Sequence, residues 1–165
     1  MEIAPNPRGP EPEYQARLTW ADVEWLRKTT RLPVGLKGIL TVGDARRAVE
    51  LGVRLIWVSN HGGRQLDQTQ STIDALPPIV DAVGGTASIV VDGGFNRGTD
   101  VLKALARGAD LVAVGRTMLW GLAADGAAGV ARTCVIMREE MSTALALSGQ
   151  TTVKGLKPDY VFRVD

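Results

Sequence analysis

The chain alternates short apolar runs with longer segments of helical periodicity. Each run is followed by a polar or glycine-rich turn, and the four runs are Pro33–Leu36, Leu55–Val58, Ser88–Val91 and Leu111–Val114. Because they are apolar with little alternation, we predict strands that are buried on both faces. Strands that alternate with helices favour an α/β fold, with a parallel sheet and right-handed crossovers.

Helical spacing of apolar residues follows several of these runs. Three helices are predicted, at Thr41–Leu51, Val101–Ala106 and Gly129–Leu147. The first has Asp44 in its first turn, where a carboxylate complements the helix dipole, and Gly52 as a stop signal. The last is one amphipathic helix, on whose apolar stripe we expect Cys134 to be buried. Three of the four tryptophans are expected to be packing residues, namely Trp20, Trp25 and Trp57.

Four strand-helix units are half of the eight that close a (β/α)8 barrel. A sheet of four parallel strands has two open edges, and open edges are normally paired or covered. The chain is therefore predicted to be half of a larger fold.

Composition narrows the class of protein. The chain has 165 residues, of which 45% are hydrophobic and 22% are charged, and its net charge is +1. This balance is that of a soluble globular domain and gives no indication of a nucleic acid partner. One cysteine excludes an internal disulfide and fits a reducing compartment. Because no signal peptide or membrane-spanning run is visible, we expect a cytoplasmic protein without a membrane segment. No metal site is expected.

The string SNHGGRQLD at Ser59–Asp67 follows the second apolar run and carries the only histidine of the chain, His61. It places a proton-transfer group three residues before a fixed cation, Arg64, in a loop that follows a strand. Such loops carry the chemistry of many α/β proteins. Taken without its context, however, a lone histidine in a loop is by default a surface residue.

Two glycine-bearing turns follow the last two runs, at Asp92–Asn96 and at Gly115 with Arg116. Glycine lets backbone N–H groups approach a phosphate closely, and the following helix points its positive end there. A single Gly-Gly turn is usually just a tight turn, but two in successive final units favour a phosphate site.

These motifs together resemble the C-terminal half of the FMN-dependent 2-hydroxy-acid oxidases and dehydrogenases, a family that includes glycolate oxidase, lactate oxidase and mandelate dehydrogenase. The resemblance rests on LKGIL at Leu36–Leu40, SNHGGRQLD, DGGFNRGTDVLKALARGAD from Asp92, and VGR at Val114–Arg116. It implies the C-terminal half, strands 5 to 8, of a TIM (β/α)8 barrel, with a C-terminal helix. It also implies a disordered loop remnant at residues 1–17 and a half-barrel domain at residues 18–165.

The resemblance assigns roles to residues of three loops. It implies that Lys37 lies at the end of its strand beside the pyrimidine edge of FMN and that Ser59 hydrogen-bonds the cofactor. His61 is implied to be the active-site base, and Arg64 to bind the substrate carboxylate. The segment that holds the phosphate and ribityl chain is implied to comprise Asp92, Gly93, Gly94, Phe95, Asn96, Gly115 and Arg116.

One departure concerns Asn96, because the family usually has arginine there. The loss of a charge-assisted bond predicts weaker FMN binding, by about tenfold to a hundredfold. The neighbouring Arg97 is a candidate substitute.

Two functions stay open at this point. The first is oxidation of an (S)-2-hydroxy acid such as lactate, glycolate or mandelate to the 2-oxo acid, with an N-terminal half-barrel supplied by another chain or lost from this gene. The second is a non-catalytic flavin- or phosphate-binding half-barrel remnant that dimerises through its open edges. The substrate, the electron acceptor and the oligomeric state are left open.

Overall fold

A computed structural model describes residues 17–162 of the chain. Residues 1–16, which make up nearly all of the predicted disordered loop, and residues 163–165 lie outside the described part. The predicted domain boundary at residue 18 therefore stays a prediction.

The described part alternates helices and strands. In chain order the elements are α1 (Trp20–Thr29), β1 (Gly35–Ile39), α2 (Val42–Glu50), β2 (Leu55–Val58), a 3₁₀ turn (His61–Gly63), α3 (Thr72–Val83), β3 (Ser88–Val91), α4 (Gly98–Ala106), β4 (Leu111–Val112), α5 (Arg116–Leu147) and two further 3₁₀ turns (Val153–Gly155 and Pro158–Tyr160). None of these helices combines the length and the hydropathy that are needed to cross a bilayer.

The four strands form one parallel sheet in the order β1-β2-β3-β4. Each strand pairs with the next along the chain, which confirms the predicted parallel α/β sheet. The register aligns one row of residues across all four strands, namely Lys37, Trp57, Val90 and Leu111. Side chains on the row before and the row after point to the other face, because orientation alternates along a strand.

The core lies between this other face and the helices. Ile56 and Val58 of β2 are fully buried, and Leu76 and Ile79 of α3 are buried with them in one apolar cluster. The sheet is therefore covered on the helix side, while Leu111 in the opposite row is 59% exposed.

Local signals position the helices. The Thr41 hydroxyl caps α2 by accepting a hydrogen bond from the Asp44 backbone N–H at 3.1 Å. The helix ends before Gly52, whose φ of 75° favours glycine. The predicted helix at Thr41–Leu51 is thus confirmed to within one residue at each end.

Two predicted strands differ in their bounds. The first was predicted at Pro33–Leu36 but runs from Gly35 to Ile39, so Lys37 lies within β1 and not at its end. The reason is an irregularity between Lys37 and Ile39, where Gly38 has a φ of 99° and pairing with β2 nevertheless continues. The last strand was predicted at Leu111–Val114 and ends at Val112, because its partner β3 ends at Val91.

The predicted C-terminal helix at Gly129–Leu147 is present, and a helical segment that was not predicted precedes it. Helical structure starts at Arg116 and is interrupted at Asp125 and Gly126, so the segment before the break was missed. Two glycines serve close packing across the break. A Cβ on Gly121 would come within 2.7 Å of the Gly129 carbonyl oxygen.

Two predictions of burial are wrong. Cys134 is exposed. Its thiol contacts Met118 of the preceding helical segment at 3.9 Å, but the described residues do not cover this face of α5 further. Trp25 is 65% exposed, because α1 has no buried residue among residues 20–29.

Candidate functional site

Three polar side chains from successive strands meet at the carboxyl edge of the sheet. Lys37 lies in β1, Ser59 directly follows β2 and Asp92 directly follows β3. The Lys37 ammonium donates to the Ser59 hydroxyl at 2.6 Å and lies 3.0 Å from Asp92 Oδ2. The Ser59 hydroxyl in turn donates to Asp92 Oδ1 at 2.6 Å. We call these three residues the Lys37 cluster.

Trp57 joins this cluster, a contact that sequence reasoning missed. Its indole N–H donates to Asp92 Oδ2 at 3.0 Å, and the Lys37 ammonium lies 5.3 Å from the centre of its ring. The signal was present in the sequence, because Trp57 alternates with the buried Ile56 and Val58 and must point to the opposite face. That face is the one that carries Lys37.

The His61 loop is held by short local hydrogen bonds. The backbone N–H of His61 donates to the Ser59 hydroxyl at 3.1 Å, and that of Gly62 donates to the Asn60 side chain at 3.0 Å. His61, Gly62 and Gly63 all have positive φ, of 55°, 66° and 69°. A histidine in this region is uncommon and costly, which fits a functional position.

The His61 side chain is exposed and borders a pocket of about 290 Å³ above the Lys37 cluster. The pocket is lined by Lys37, Gly38, Leu40, Ser59, Asn60, His61, Gln65, Leu66 and Thr69. Arg64 is exposed and lies outside this lining. The structure thus brings His61, Lys37 and Ser59 to one pocket, while Gln65 and Leu66 border it in the segment that follows Arg64.

The first glycine turn packs against the His61 loop. Gly93 and Gly94 have φ values of 99° and 88°. A Cβ on Gly93 would come within 2.9 Å of the Asn60 side-chain oxygen, so close packing as well as conformation requires glycine there. The Phe95 side chain is 7% exposed and belongs to the core, so it is not available to contact a ligand.

Asn96 and Arg97 point in different directions. The Asn96 side-chain oxygen accepts a hydrogen bond from the Thr117 hydroxyl at 2.8 Å. Arg97 Nε instead donates to Glu140 of α5 at 2.8 Å. Arg97 is therefore held by Glu140 and is not a substitute for the arginine expected at position 96.

Glu140 also accepts a hydrogen bond from the backbone N–H of Gly98, at 2.7 Å. Hydrogen bonds from Arg97 and from this N–H lower the pKa of Glu140. Glu140 therefore joins α5 to the first turn of α4.

The second glycine turn connects β4 to the His61 loop. Arg116 Nη2 donates to the Gly62 carbonyl oxygen at 3.2 Å, and Gly115 precedes the first residue of α5. Apart from its chain neighbours, no atom of residues 17–162 lies within 4 Å of the place that a Cβ on Gly115 would take, and its φ is −108°. Neither packing nor a positive φ requires glycine there, which fits a backbone that a ligand approaches closely.

Comparison with known proteins identifies the family. The family model described as FMN-dependent dehydrogenase matches residues 8–163. The chain is 50% identical to an L-lactate oxidase of Nostoc sp. over 87% of its own length, and 53% identical to human 2-hydroxyacid oxidase 1 over 83%. A solved structure of mandelate oxidase with benzoyl-formic acid superposes with a TM-score of 0.81 at 50% identity and covers 86% of this chain. The chain belongs to the FMN-dependent dehydrogenase family, whose members are enzymes and use FMN.

The same comparisons define how much of the fold is present. The chain spans 40% of the Nostoc enzyme, 37% of the human enzyme and 42% of the mandelate oxidase structure. The predicted architecture is confirmed: the four-stranded sheet with its helices is the C-terminal half of a (β/α)8 barrel.

Proposed function

We propose that this chain carries the cofactor-facing and substrate-facing loops of an FMN-dependent oxidoreductase that converts an (S)-2-hydroxy acid to a 2-oxo acid. The observation that carries the proposal is the Lys37 cluster, which adjoins His61 in one pocket at the carboxyl edge of the sheet. In (β/α)8 barrels this edge is where active sites lie.

The residues present fit FMN. Two glycine turns with open space at Gly94 and Gly115 lie near a cation, Arg116, and near the first turn of α5. Backbone N–H groups, a helix N-terminus and a guanidinium are the donors that a phosphate prefers. In the proposal the phosphate and ribityl chain are held by Asp92, Gly93, Gly94, the Phe95 backbone, Asn96, Gly115 and Arg116.

Lys37 and Ser59 are proposed to face the pyrimidine edge of the cofactor. The Lys37 side chain is 41% exposed, whereas Asp92 behind it is 17% exposed, so the ammonium is open on its pocket side. When bound, FMN supplies the acceptor for the two electrons that leave the substrate. A fixed ammonium stabilises the negative charge that develops during this transfer.

His61 is proposed to accept the proton that the substrate loses, from C2 or from the hydroxyl group. Its imidazole makes no hydrogen bond with another side chain in the described part, so its ring nitrogens are free to act as a base. Arg64 is proposed to bind the substrate carboxylate, because a guanidinium matches a carboxylate with two parallel hydrogen bonds. This binding orients C2, and orientation of this kind contributes strongly to catalysis.

Activity is proposed to require a second half-barrel. Within the described residues the outer edges of β1 and β4 have no strand partner. Apolar side chains are exposed beside both edges, with Leu111 of β4 at 59% and Leu32 before β1 at 76%. We propose that an N-terminal half-barrel pairs with these edges; self-association of two copies is the alternative. The cytoplasmic location stays a prediction.

The test is a flavin titration of the full 165-residue chain, alone and mixed with the complementary N-terminal segment of the Nostoc L-lactate oxidase. L-lactate, glycolate and mandelate are then added without oxygen while the absorbance of oxidised flavin is followed. Bleaching in the mixed sample alone supports completion by an N-terminal half-barrel, and bleaching by the chain alone supports self-association of two copies. In either case His61→Gln should abolish bleaching while leaving FMN bound. Arg64→Lys should raise the substrate concentration for half-maximal bleaching by at least about tenfold.

Two outcomes would count against it. Binding without bleaching, even in the mixed sample, would favour the alternative of a non-catalytic flavin- or phosphate-binding half-barrel. No binding in either sample would overturn the assignment of the two glycine turns as the cofactor site.

A further inference from the structure

We propose that Trp57 is a positioning residue: its indole N–H donates to the Asp92 oxygen that pairs with the Lys37 ammonium, which weakens that ion pair and keeps Lys37 available to an anionic ligand. The proposal rests on the proposed function in one respect, because it takes the pyrimidine edge of FMN as the ligand that Lys37 meets.

One carboxylate oxygen of Asp92 contacts both Trp57 and Lys37. Asp92 Oδ2 lies 3.0 Å from the Trp57 indole nitrogen and 3.0 Å from the Lys37 ammonium. The other carboxylate oxygen, Oδ1, accepts from Ser59. The same oxygen therefore serves both the indole N–H and the ammonium, and the indole N–H reduces the negative charge that this oxygen presents to Lys37.

The strand register fixes this arrangement. Lys37 of β1 pairs with Trp57 of β2, and Trp57 pairs with Val90 of β3. Asp92 lies two residues after Val90 and so points to the same face of the sheet. A side chain at position 57 thus lies beside the lysine and within reach of the carboxylate. Among apolar side chains, only tryptophan combines a large ring with an N–H donor.

The ring of Trp57 supports the ammonium from a second direction. The distance of 5.3 Å from ammonium to ring centre is within the range of a cation-π interaction. Such a contact restrains the lysine without offsetting its charge, whereas the paired Asp92 carboxylate offsets part of that charge. Trp57 thus favours a lysine that is both restrained and charged toward the pocket.

The proposal predicts the effect of two variants. Trp57→Phe retains a ring and removes the N–H, so Asp92 Oδ2 is left to Lys37 and FMN binding should weaken by about tenfold. Trp57→Leu also removes the ring and should bind FMN at least as weakly. The matched control is Trp25→Phe, because Trp25 is 65% exposed on α1 and takes no part in the cluster; it should bind FMN as the native chain does.

A double-mutant cycle separates positioning from a merely structural role. If Trp57 acts through Lys37, Trp57→Phe should have no further effect on FMN affinity once Lys37→Met is present. If the two effects add, Trp57 does not act through Lys37 and the proposal is overturned.

A second measurement needs no cofactor. In the ¹⁵N-labelled chain the four tryptophans give four indole N–H signals, and the one lost in Trp57→Phe is that of Trp57. This signal should move in Lys37→Met and in Asp92→Asn, while that of Trp25 stays in place. A Trp57 signal that keeps its position in both Lys37→Met and Asp92→Asn would overturn the positioning role. Failure of the native chain to bind FMN would count against the proposed function instead.

Discussion

The hydroxyl oxygen of Ser59 accepts a hydrogen bond from the backbone N–H of His61 at 3.1 Å. The same hydroxyl accepts from the Lys37 ammonium and donates to the Asp92 carboxylate, both at 2.6 Å. Ser59 is only 2% exposed. One buried hydroxyl therefore connects the charged cluster of the sheet to the left-handed backbone of the histidine, and the position of the proposed base depends on that cluster.

Ser59→Ala should lower the free energy of unfolding by about 1–3 kcal/mol, because it removes a buried hydroxyl that serves three partners and leaves the half-buried Asp92 Oδ1 without its donor. It should also weaken substrate-dependent flavin bleaching, since the His61 backbone loses its hydrogen bond. Urea denaturation measures the first effect. The control is Ser142→Ala on the exposed surface of α5, which should stay within about 0.5 kcal/mol of the native chain. Equal losses in the two variants would contradict a special role for Ser59.

Gly115→Ala should leave stability nearly unchanged and weaken FMN binding by about tenfold or more. Among the described residues, a Cβ at this position meets no atom within 4 Å beyond its chain neighbours, so the described fold has room for it. If a phosphate approaches this backbone, however, the methyl group occupies the same space. FMN titration of this variant measures its affinity for the cofactor, and urea denaturation of the same variant measures its free energy of unfolding.

Gly43→Ala is the matched control for this change. Gly43 lies in α2, and a Cβ there would have the Thr41 hydroxyl at 3.9 Å as its nearest contact. FMN affinity should not change in this variant. Unaltered FMN affinity in Gly115→Ala as well would remove Gly115 from the proposed phosphate site.

Much of the fold could be predicted because its signals are local. The runs at Leu55–Val58 and Ser88–Val91 became strands with the predicted bounds, since buried parallel strands are nearly continuous apolar segments. Parallel pairing then brings the carboxyl ends of the strands to one edge. For this reason Lys37, Ser59 and Asp92, far apart in the chain, were predicted for the same site and meet there.

The remainder depended on tertiary contacts that no local pattern encodes. The Trp57 indole N–H finds its acceptor 35 residues away, at Asp92. Arg97 is hydrogen-bonded to Glu140, 43 residues away in the chain, so its position next to Asn96 in the sequence did not indicate where its side chain points. Cys134 was predicted to be buried from residue type and periodicity, but burial also requires a second element to cover that face.

Glu140→Gln should reduce stability in a pH-dependent manner. Hydrogen bonds from Arg97 and from the Gly98 N–H lower the pKa of Glu140 in the folded chain. A group whose pKa is lowered by folding stabilises the fold at pH values above its pKa in the unfolded chain, which is about 4.3 for glutamate. This contribution is lost as the pH falls through the pKa of the folded chain. The difference in unfolding free energy between native chain and variant should therefore be constant near neutral pH and shrink below about pH 4.3.

Urea denaturation of both chains at several pH values measures this difference. Glu139→Gln is the control, because the Glu139 carboxylate lies 3.8 Å from Arg132 and is 61% exposed. This surface change should stay within about 0.5 kcal/mol of the native chain. A difference for Glu140→Gln that stays constant into the acid range would show that the carboxylate is not held in its charged form by α4.

Asn96→Arg should tighten FMN binding by about tenfold to a hundredfold, because a guanidinium adds a charge-assisted hydrogen bond to a phosphate. The change costs the bond between the Asn96 side chain and the Thr117 hydroxyl, which is exposed and therefore contributes little. Arg97 does not fill the role already, since Glu140 holds it. The control is Thr99→Arg, which adds the same charge to an exposed position of α4, beside the groove that Arg97 and Glu140 line. Equal tightening in both variants would indicate a general effect of charge, and no tightening in Asn96→Arg would place the phosphate elsewhere.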